Sequence, residues 1–247
     1  MADPVGPVAR PRWVGAVLGP LFVVSLAALM VIPSPRAKAY PAFLEMGCKQ
    51  GSVIAFGDSI TFGLYSPPAD AYPVQLAKLT GEPVCNAGIL GDTAQAALLR
   101  LNRDVLEFHP RAVLVAFGTN DSGMLTKPVP LNEFRADLEA IAGTVTSHGA
   151  AVVFLSLPPV NVPLVESHDL NPSRHAEYDD AIRSVAREMH APLVDLTAAF
   201  AGDLTLLHDG VHPTAAGYLV IARAVAKVLA GRATGAGQPA TGSAAGG

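Results

Sequence analysis

The chain has 247 residues, half of them apolar and 15% charged. That is enough apolar material for one substantial core, and too ordinary a composition for a repeat array or a disordered polymer. A formal net charge of -4, with no dense stripe of lysine and arginine to neutralise phosphates, argues against nucleic acid and favours a small-molecule or acyl ligand.

The N-terminus places Arg10 and Arg12 ahead of an uncharged apolar run over residues 13–32, followed by Ala37-Lys38-Ala39, a small-x-small pattern. A signal peptide cleaved before Tyr40 is the favoured reading. The run is also long enough to cross a bilayer as an uncleaved anchor. Either way the basic residues precede the apolar run, so the remainder is expected outside the cytoplasm: secreted, periplasmic or associated with the envelope. Lipidation of Cys48, which follows Gly47, is disfavoured by the charge of Glu45 nearby. The cysteines at 48 and 85 form either one disulfide, as an oxidising compartment allows, or two small buried thiols.

Downstream, nearly continuous apolar runs at 53–56, 84–87, 112–117, 151–157 and 192–196 read as strands covered on both faces. Between them, helical spacing marks 73–80, 93–108, 131–147, 173–189 and 213–229; Leu98, Leu101, Val105 and Phe108 illustrate it in the second. The alternation implies an α/β fold, a three-layer α/β/α sandwich on a five-stranded parallel sheet with right-handed crossovers. Ligands in such folds sit beyond the carboxyl ends of the strands. A flavodoxin-like order, 2-1-3-4-5, makes the first two strands neighbours and brings Cys48 towards Cys85. The domain is expected over 40–230. Residues 231–247 are mostly Gly, Ala, Ser and Thr and read as a disordered tail. The proline-rich stretch 158–171 reads as an ordered excursion near the site.

Gly57-Asp58-Ser59-Ile60 follows the first strand directly, which puts a serine hydroxyl at the carboxyl edge of the sheet; helix capping is its ordinary alternative role. Asp209-Gly210-Val211-His212-Pro213 opens the last helix. A carboxylate three residues before an imidazole can fix its tautomer, so that the ring accepts a serine proton; an isolated DxxH is otherwise a capping Asp beside a surface His. A metal bound by His208, Asp209 and His212 finds no second ligand cluster in the chain. Two more loops offer donors for a developing oxyanion: Asn86 to Thr93, with Gly91 letting backbone N–H approach closely, and Gly118-Thr119-Asn120-Asp121, where the Asn120 amide is a neutral donor.

The four blocks GDS at 57–59, NxGxxG at 86–91, GxND at 118–121 and DxxH at 209–212 together resemble the SGNH (GDSL-type) hydrolases over 53–229, essentially the whole expected domain. The resemblance implies a serine esterase with Ser59 as nucleophile, His212 as base and Asp209 as its orienting acid. The oxyanion hole it implies is the Ser59 and Gly91 N–H groups with the Asn120 amide. No metal or organic cofactor is implied, and a monomer is expected. The 86–121 stretch looks most like the bacterial thioesterase, lysophospholipase and arylesterase branch. Ile60 and Thr119 depart from residues common in the family, and the α/β-hydrolase elbow G-x-S-x-G does not occur.

The expected reaction is acyl transfer from a carboxylic ester to water through an acyl-enzyme. Short-acyl, aryl, lysophospholipid and thioester substrates all fit. An acyltransferase or carbohydrate O-deacetylase using the same residues is the alternative, and a non-catalytic carbohydrate- or lipid-binding protein is disfavoured by retention of every expected catalytic residue. A nucleotide-binding domain would need a glycine-rich phosphate loop after the first strand, which GDSIT is not. Phe62, Tyr65 and Tyr72 line a substrate pocket or pack in the core.

Overall fold

The computed structural model describes residues 48–124, 127–165 and 170–235; the expected signal peptide or anchor and most of the expected tail lie outside the described residues. Among the described residues no helix is long and apolar enough to cross a membrane.

Five strands form: β1 (Val53–Gly57), β2 (Val84–Gly88), β3 (Ala112–Ala116), β4 (Ala151–Leu155) and β5 (Leu193–Val194). All pair in parallel, in the order β2-β1-β3-β4-β5, the flavodoxin-like order expected. Gly57 pairs with both Gly88 and Ala116, so β1, β2 and β3 end level and their outgoing loops emerge side by side.

Side-chain alternation sends successive residues of each strand to opposite faces, and both faces are covered. Ile54, Phe56, Val113 and Phe154 join one core with Phe134, Ile141 and Ile182; Val53, Ala55, Leu114 and Val153 join the other with Tyr72, Leu76 and Tyr218. The helices supplying those faces are α1 (Ser59–Phe62), α2 (Tyr72–Thr80), α3 (Ala94–Leu98), α4 (Leu101–Asp104), α5 (Leu131–Ser147), α7 (Pro172–Glu188), α8 (Leu196–Phe200) and α9 (Ala215–Gly235), while α6 (Val162–Val165) packs through Val165 in a separate cluster with Met124, Leu170 and Val211. In α5 the buried positions Phe134, Leu138, Ile141, Ala142 and Val145 follow the three- and four-residue spacing that makes one apolar stripe. Helix α7 begins where it should: the Asn171 side chain accepts from Arg174 N–H at 2.9 Å and Pro172 occupies the first turn,.

Three boundaries differ from the sequence reading. The single helix expected over 93–108 is α3, α4 and a 3-10 turn at Leu106–Phe108. The chain turns at Leu99 and Arg100, leaving Leu99 92% exposed and driving Arg100 inward, because that guanidinium has partners at the ends of β1 and β2. The last helix begins at Ala215 and runs to Gly235, so a boundary at residue 230 falls inside it. The strand expected at 192–196 shortens to two residues, because Asp195 turns out of the ladder to cap α8, accepting from Ala198 N–H at 3.0 Å.

Cys48 and Cys85 are joined in a disulfide, with Cα atoms 4.5 Å apart across a sequence separation of 37. The adjacency of β1 and β2 makes this closure possible, and it commits the sulfur of Cys48, which agrees with Glu45 in arguing against a lipidated cysteine. Closing a loop of that length removes denatured-state entropy equivalent to about 3–4 kcal/mol. The Cys48→Ser, Cys85→Ala double variant is therefore expected to lose about 3–4 kcal/mol of unfolding free energy in urea. It should also become indifferent to dithiothreitol, whereas the wild type is destabilised by it.

Candidate active site

Ser59 is the first residue of α1, and the turn that leads into it is fixed by its neighbour: Asp58 caps the helix, its Oδ1 accepting from Ile60 N–H at 2.9 Å. Capping holds Ser59 at the carboxyl edge of β1, nearly buried at 4% exposure. Its own N–H lies at the first helical position, which has no partner within the helix. The end of β2 comes up hard against this helix. A Cβ on Gly88 would fall on the backbone nitrogen of Phe62, so only glycine permits the approach.

His212 arrives from the far end of the chain on a short hairpin. Leu207 bridges Pro213, and His208 N–H donates to the His212 carbonyl at 2.7 Å. At its tip Gly210 has φ 91°, and a Cβ there would lie 2.8 Å from Leu164 Cβ, so glycine both makes the turn and lets α6 pack against it. Asp209 organises the loop: Oδ1 accepts from the Val211 and His212 N–H groups at 3.0 and 2.8 Å, and Oδ2 faces His212 Nδ1 at 2.8 Å. Across the ring, Nε2 lies 2.9 Å from Ser59 Oγ. A carboxylate at Nδ1 selects the tautomer with its proton there, leaving the Nε2 lone pair for the serine hydroxyl. Burial opposes ionisation of Asp209, but the hydrogen bonds from the His212 ring and backbone and from Val211 outweigh it and hold the carboxyl below the usual range,. The structure thus brings Ser59, His212 and Asp209 into one hydrogen-bonded line.

The loops after β2 and β3 are tied to each other. Asn120 Nδ2 donates to the Asp92 carbonyl at 2.9 Å and makes a longer contact, 3.4 Å, with Asp58 Oδ2 beside the serine. Asp121 Oδ1 accepts from Ala94 N–H at 2.9 Å. Gly91, exposed and with φ 71°, immediately precedes the carbonyl that anchors Asn120. Thr119 is buried and lines, with Asp58 and Leu155, a small cavity of about 20 Å³ behind α1. Of the three aromatics that follow Ser59, Tyr72 is in the core, Phe62 is half-buried and Tyr65 is exposed.

Sequence reasoning missed what supports these loops. Arg100, 7% exposed, places Nε and Nη2 on Asp92 Oδ2 (2.8 and 2.6 Å), Nη1 on Asp104 Oδ2 (3.1 Å) and the Ala87 carbonyl (2.9 Å), and Nη2 on the Gly57 carbonyl (3.1 Å). Its guanidinium also lies 4.4 Å from the Phe56 ring centroid. Nothing in the local pattern marks this arginine, whose partners are spread over three elements. Asp58 and Asp121 are each driven by burial from 3.8 to about 7, with neighbouring carboxylates adding to the shift, and burial raises Asp92 even against Arg100. Among the described residues no group of three or more His, Cys, Asp or Glu side chains could hold a metal ion.

Residues 55–220 match the model of the GDSL-like Lipase/Acylhydrolase family. An acetylxylan esterase of Geobacillus stearothermophilus is 28% identical over 204 residues, 70% of this chain and 90% of the relative. The uncharacterized lipoprotein YqeF of Bacillus subtilis (strain 168) is 30% identical over 182 residues, 62% of this chain and 74% of its own. The crystal structure of a lipase/acylhydrolase from Enterococcus faecalis superposes with a TM-score of 0.64 at 27% identity, covering 74% of this chain and 97% of that one.

Removing Arg100 leaves the buried Asp92 carboxylate without its cation and takes one donor each from Asp104 and from the Gly57 and Ala87 carbonyls. Arg100→Met, which keeps the apolar stem, is expected to lower the unfolding free energy in urea by about 3–5 kcal/mol. The raised carboxyls set a pH dependence of their own. Between about pH 4 and 7 the folded chain keeps protons on Asp58 and Asp121 that the unfolded chain has released, so their contribution to stability falls as pH rises. Asp209, shifted the other way, acts only below that window. Unfolding free energy measured from pH 5 to 8 should therefore decline less steeply in Asp121→Asn than in the wild type.

Proposed function

Since the chain belongs to the GDSL-like lipase/acylhydrolase family, and is thereby an esterase-type hydrolase, we propose that it is an exported serine esterase removing acetyl or other short acyl groups from carbohydrate hydroxyls. The single observation that carries the catalytic part is the line Ser59 Oγ, His212 Nε2, His212 Nδ1, Asp209 Oδ2, with both contacts under 3 Å. Ser59 Oγ attacks the ester carbonyl as its proton passes to Nε2, and Asp209 stabilises the imidazolium that forms. His212 then returns the proton to the departing alcohol oxygen, and water releases the acyl group from Ser59 by the same steps in reverse.

The Ser59 N–H, the Gly91 N–H and the Asn120 amide are the groups we assign to the oxyanion. Asn120 suits the role physically. One amide hydrogen is anchored at 2.9 Å on the Asp92 carbonyl, while the other makes only the 3.4 Å contact, weak enough to be exchanged for a developing negative charge. Export is supported by the charged-then-apolar N-terminus, the Cys48–Cys85 disulfide and the lipoprotein relative,. The carbohydrate ester is supported by the acetylxylan esterase relative.

Ser59→Ala is expected to lower kcat on acetyl esters by about 10⁴ or more, with an unchanged thermal transition. A fluorophosphonate probe should label the wild type at Ser59 and leave the variant unlabelled. Comparable turnover in the variant would falsify the nucleophile assignment. Acyl transfer to added alcohol in preference to water would redirect the reading to a transferase.

A further inference from the structure

Tyr65 has φ 64°, the left-handed region in which a bulky side chain is a genuine outlier. The conformation is imposed from both sides. Ser66 N–H donates to the Gly63 carbonyl at 3.2 Å, and the hydroxyl of Tyr218, a fully buried residue, donates to the Leu64 carbonyl at 2.9 Å. Strain so over-determined tends to be kept where a side chain is needed in one place. Here it puts a ring that is 52% exposed against the catalytic hairpin. The ring stacks on His208 (centroids 4.6 Å, planes 25° apart) and meets His212 edge-on (5.4 Å, 74°).

We propose that Tyr65, with His208 behind it, is the platform on which the alcohol half of the ester rests, and that this alcohol is a pyranose ring. The inference rests on the esterase reading above and deepens it. In that mechanism the carbonyl oxygen turns towards Asn120 and Gly91, while the leaving oxygen must face His212 Nε2 to receive its proton. A ring in contact with His212 therefore lies on the side of the leaving alcohol and away from the oxyanion donors. The chemistry of the surface suits a sugar. A pyranose presents an apolar face of C–H bonds with a rim of hydroxyls, and the Tyr65–His208 stack presents an apolar face with a phenol hydroxyl and imidazole nitrogens at its rim. Both residues are exposed, so a polar, hydrated alcohol can reach them without being fully desolvated.

The test compares kcat/KM on an acetylated methyl xylopyranoside with that on ethyl acetate, whose alcohol has no ring, in wild type, Tyr65→Phe and Tyr65→Asn. Asparagine tolerates the left-handed backbone, so the loop keeps its course. The ratio of sugar ester to ethyl acetate is expected to fall about ten-fold in Tyr65→Asn and to stay within about two-fold in Tyr65→Phe, the loss appearing chiefly in KM. A purely structural or shielding role would lower both esters together, so an unchanged ratio in Tyr65→Asn overturns the platform while leaving the esterase intact. Wild-type inactivity on both esters overturns the esterase reading and the platform with it.

Discussion

The geometry of the site depends on one positive charge buried at the carboxyl edge of the sheet. Parallel strands that end level expose carbonyls, and here the Gly57 and Ala87 carbonyls both accept from Arg100. A guanidinium in that position is tolerable only if its charge is neutralised and its donors are used. Asp92 and Asp104 neutralise it from two elements, and the face of Phe56 covers it,. The consequence reaches the chemistry through Asp92. Its carboxylate is clamped by the arginine, its backbone carbonyl anchors the Asn120 amide, and Gly91 is the residue before it. The positions of Gly91 and of the Asn120 amide, the two groups outside α1 proposed for the oxyanion, are thus referred to the same buried cation.

Around that cation the carboxylates are arranged for position at the expense of stability. Asp58, Asp92 and Asp121 are all buried and all raised, by burial before anything else. Apolar residues there would be less costly for folding, but each acid holds a loop that an apolar side chain could not hold. Asp58 caps the helix carrying Ser59, Asp121 fixes the start of α3, and Asp92 ties Arg100 to the loop. The disulfide from Cys48 into β2 offsets part of that cost,.

The sheet order and the meeting of Ser59, His212 and Asp209 were legible in the sequence because their determinants are local. Five apolar runs specify strands buried on both faces, and GDS and DxxH each place their reactive atoms within a few residues of a strand end or helix start. The Cys48–Cys85 bridge was left open against two buried thiols, and the adjacency of β1 and β2 was one argument in its favour. What was not legible is long-range. Apolar spacing at Leu98, Leu101, Val105 and Phe108 reads as one helix, and nothing nearby says that Arg100 will break it to reach carbonyls of strands 13 and 43 residues upstream. Tyr65, Phe62 and Tyr72 look equivalent as aromatics in sequence. A positive φ, set by Gly63 and by a hydrogen bond from Tyr218 at a separation of 154 residues, is what singles out Tyr65.

Chemistry and specificity consequently sit on different kinds of structure. The loops carrying Asn120 and Asp92 are joined by hydrogen bonds of 2.9 Å, the Ser59 loop meets Asn120 through the longer Asp58 contact, and His212 is fixed by its own hairpin and by Asp209. A substitution within that set shifts several reacting groups together, since each donor is positioned by another member. Tyr65 and α6, which carries the exposed Val162 and Leu164, stand at the rim, where they touch the hairpin without belonging to the network. Side chains there can change with little effect on the line from Ser59 to Asp209. It follows that, in this chain, the proposed choice of alcohol is to be sought in the few residues that lean on the Asp209–His212 hairpin from outside.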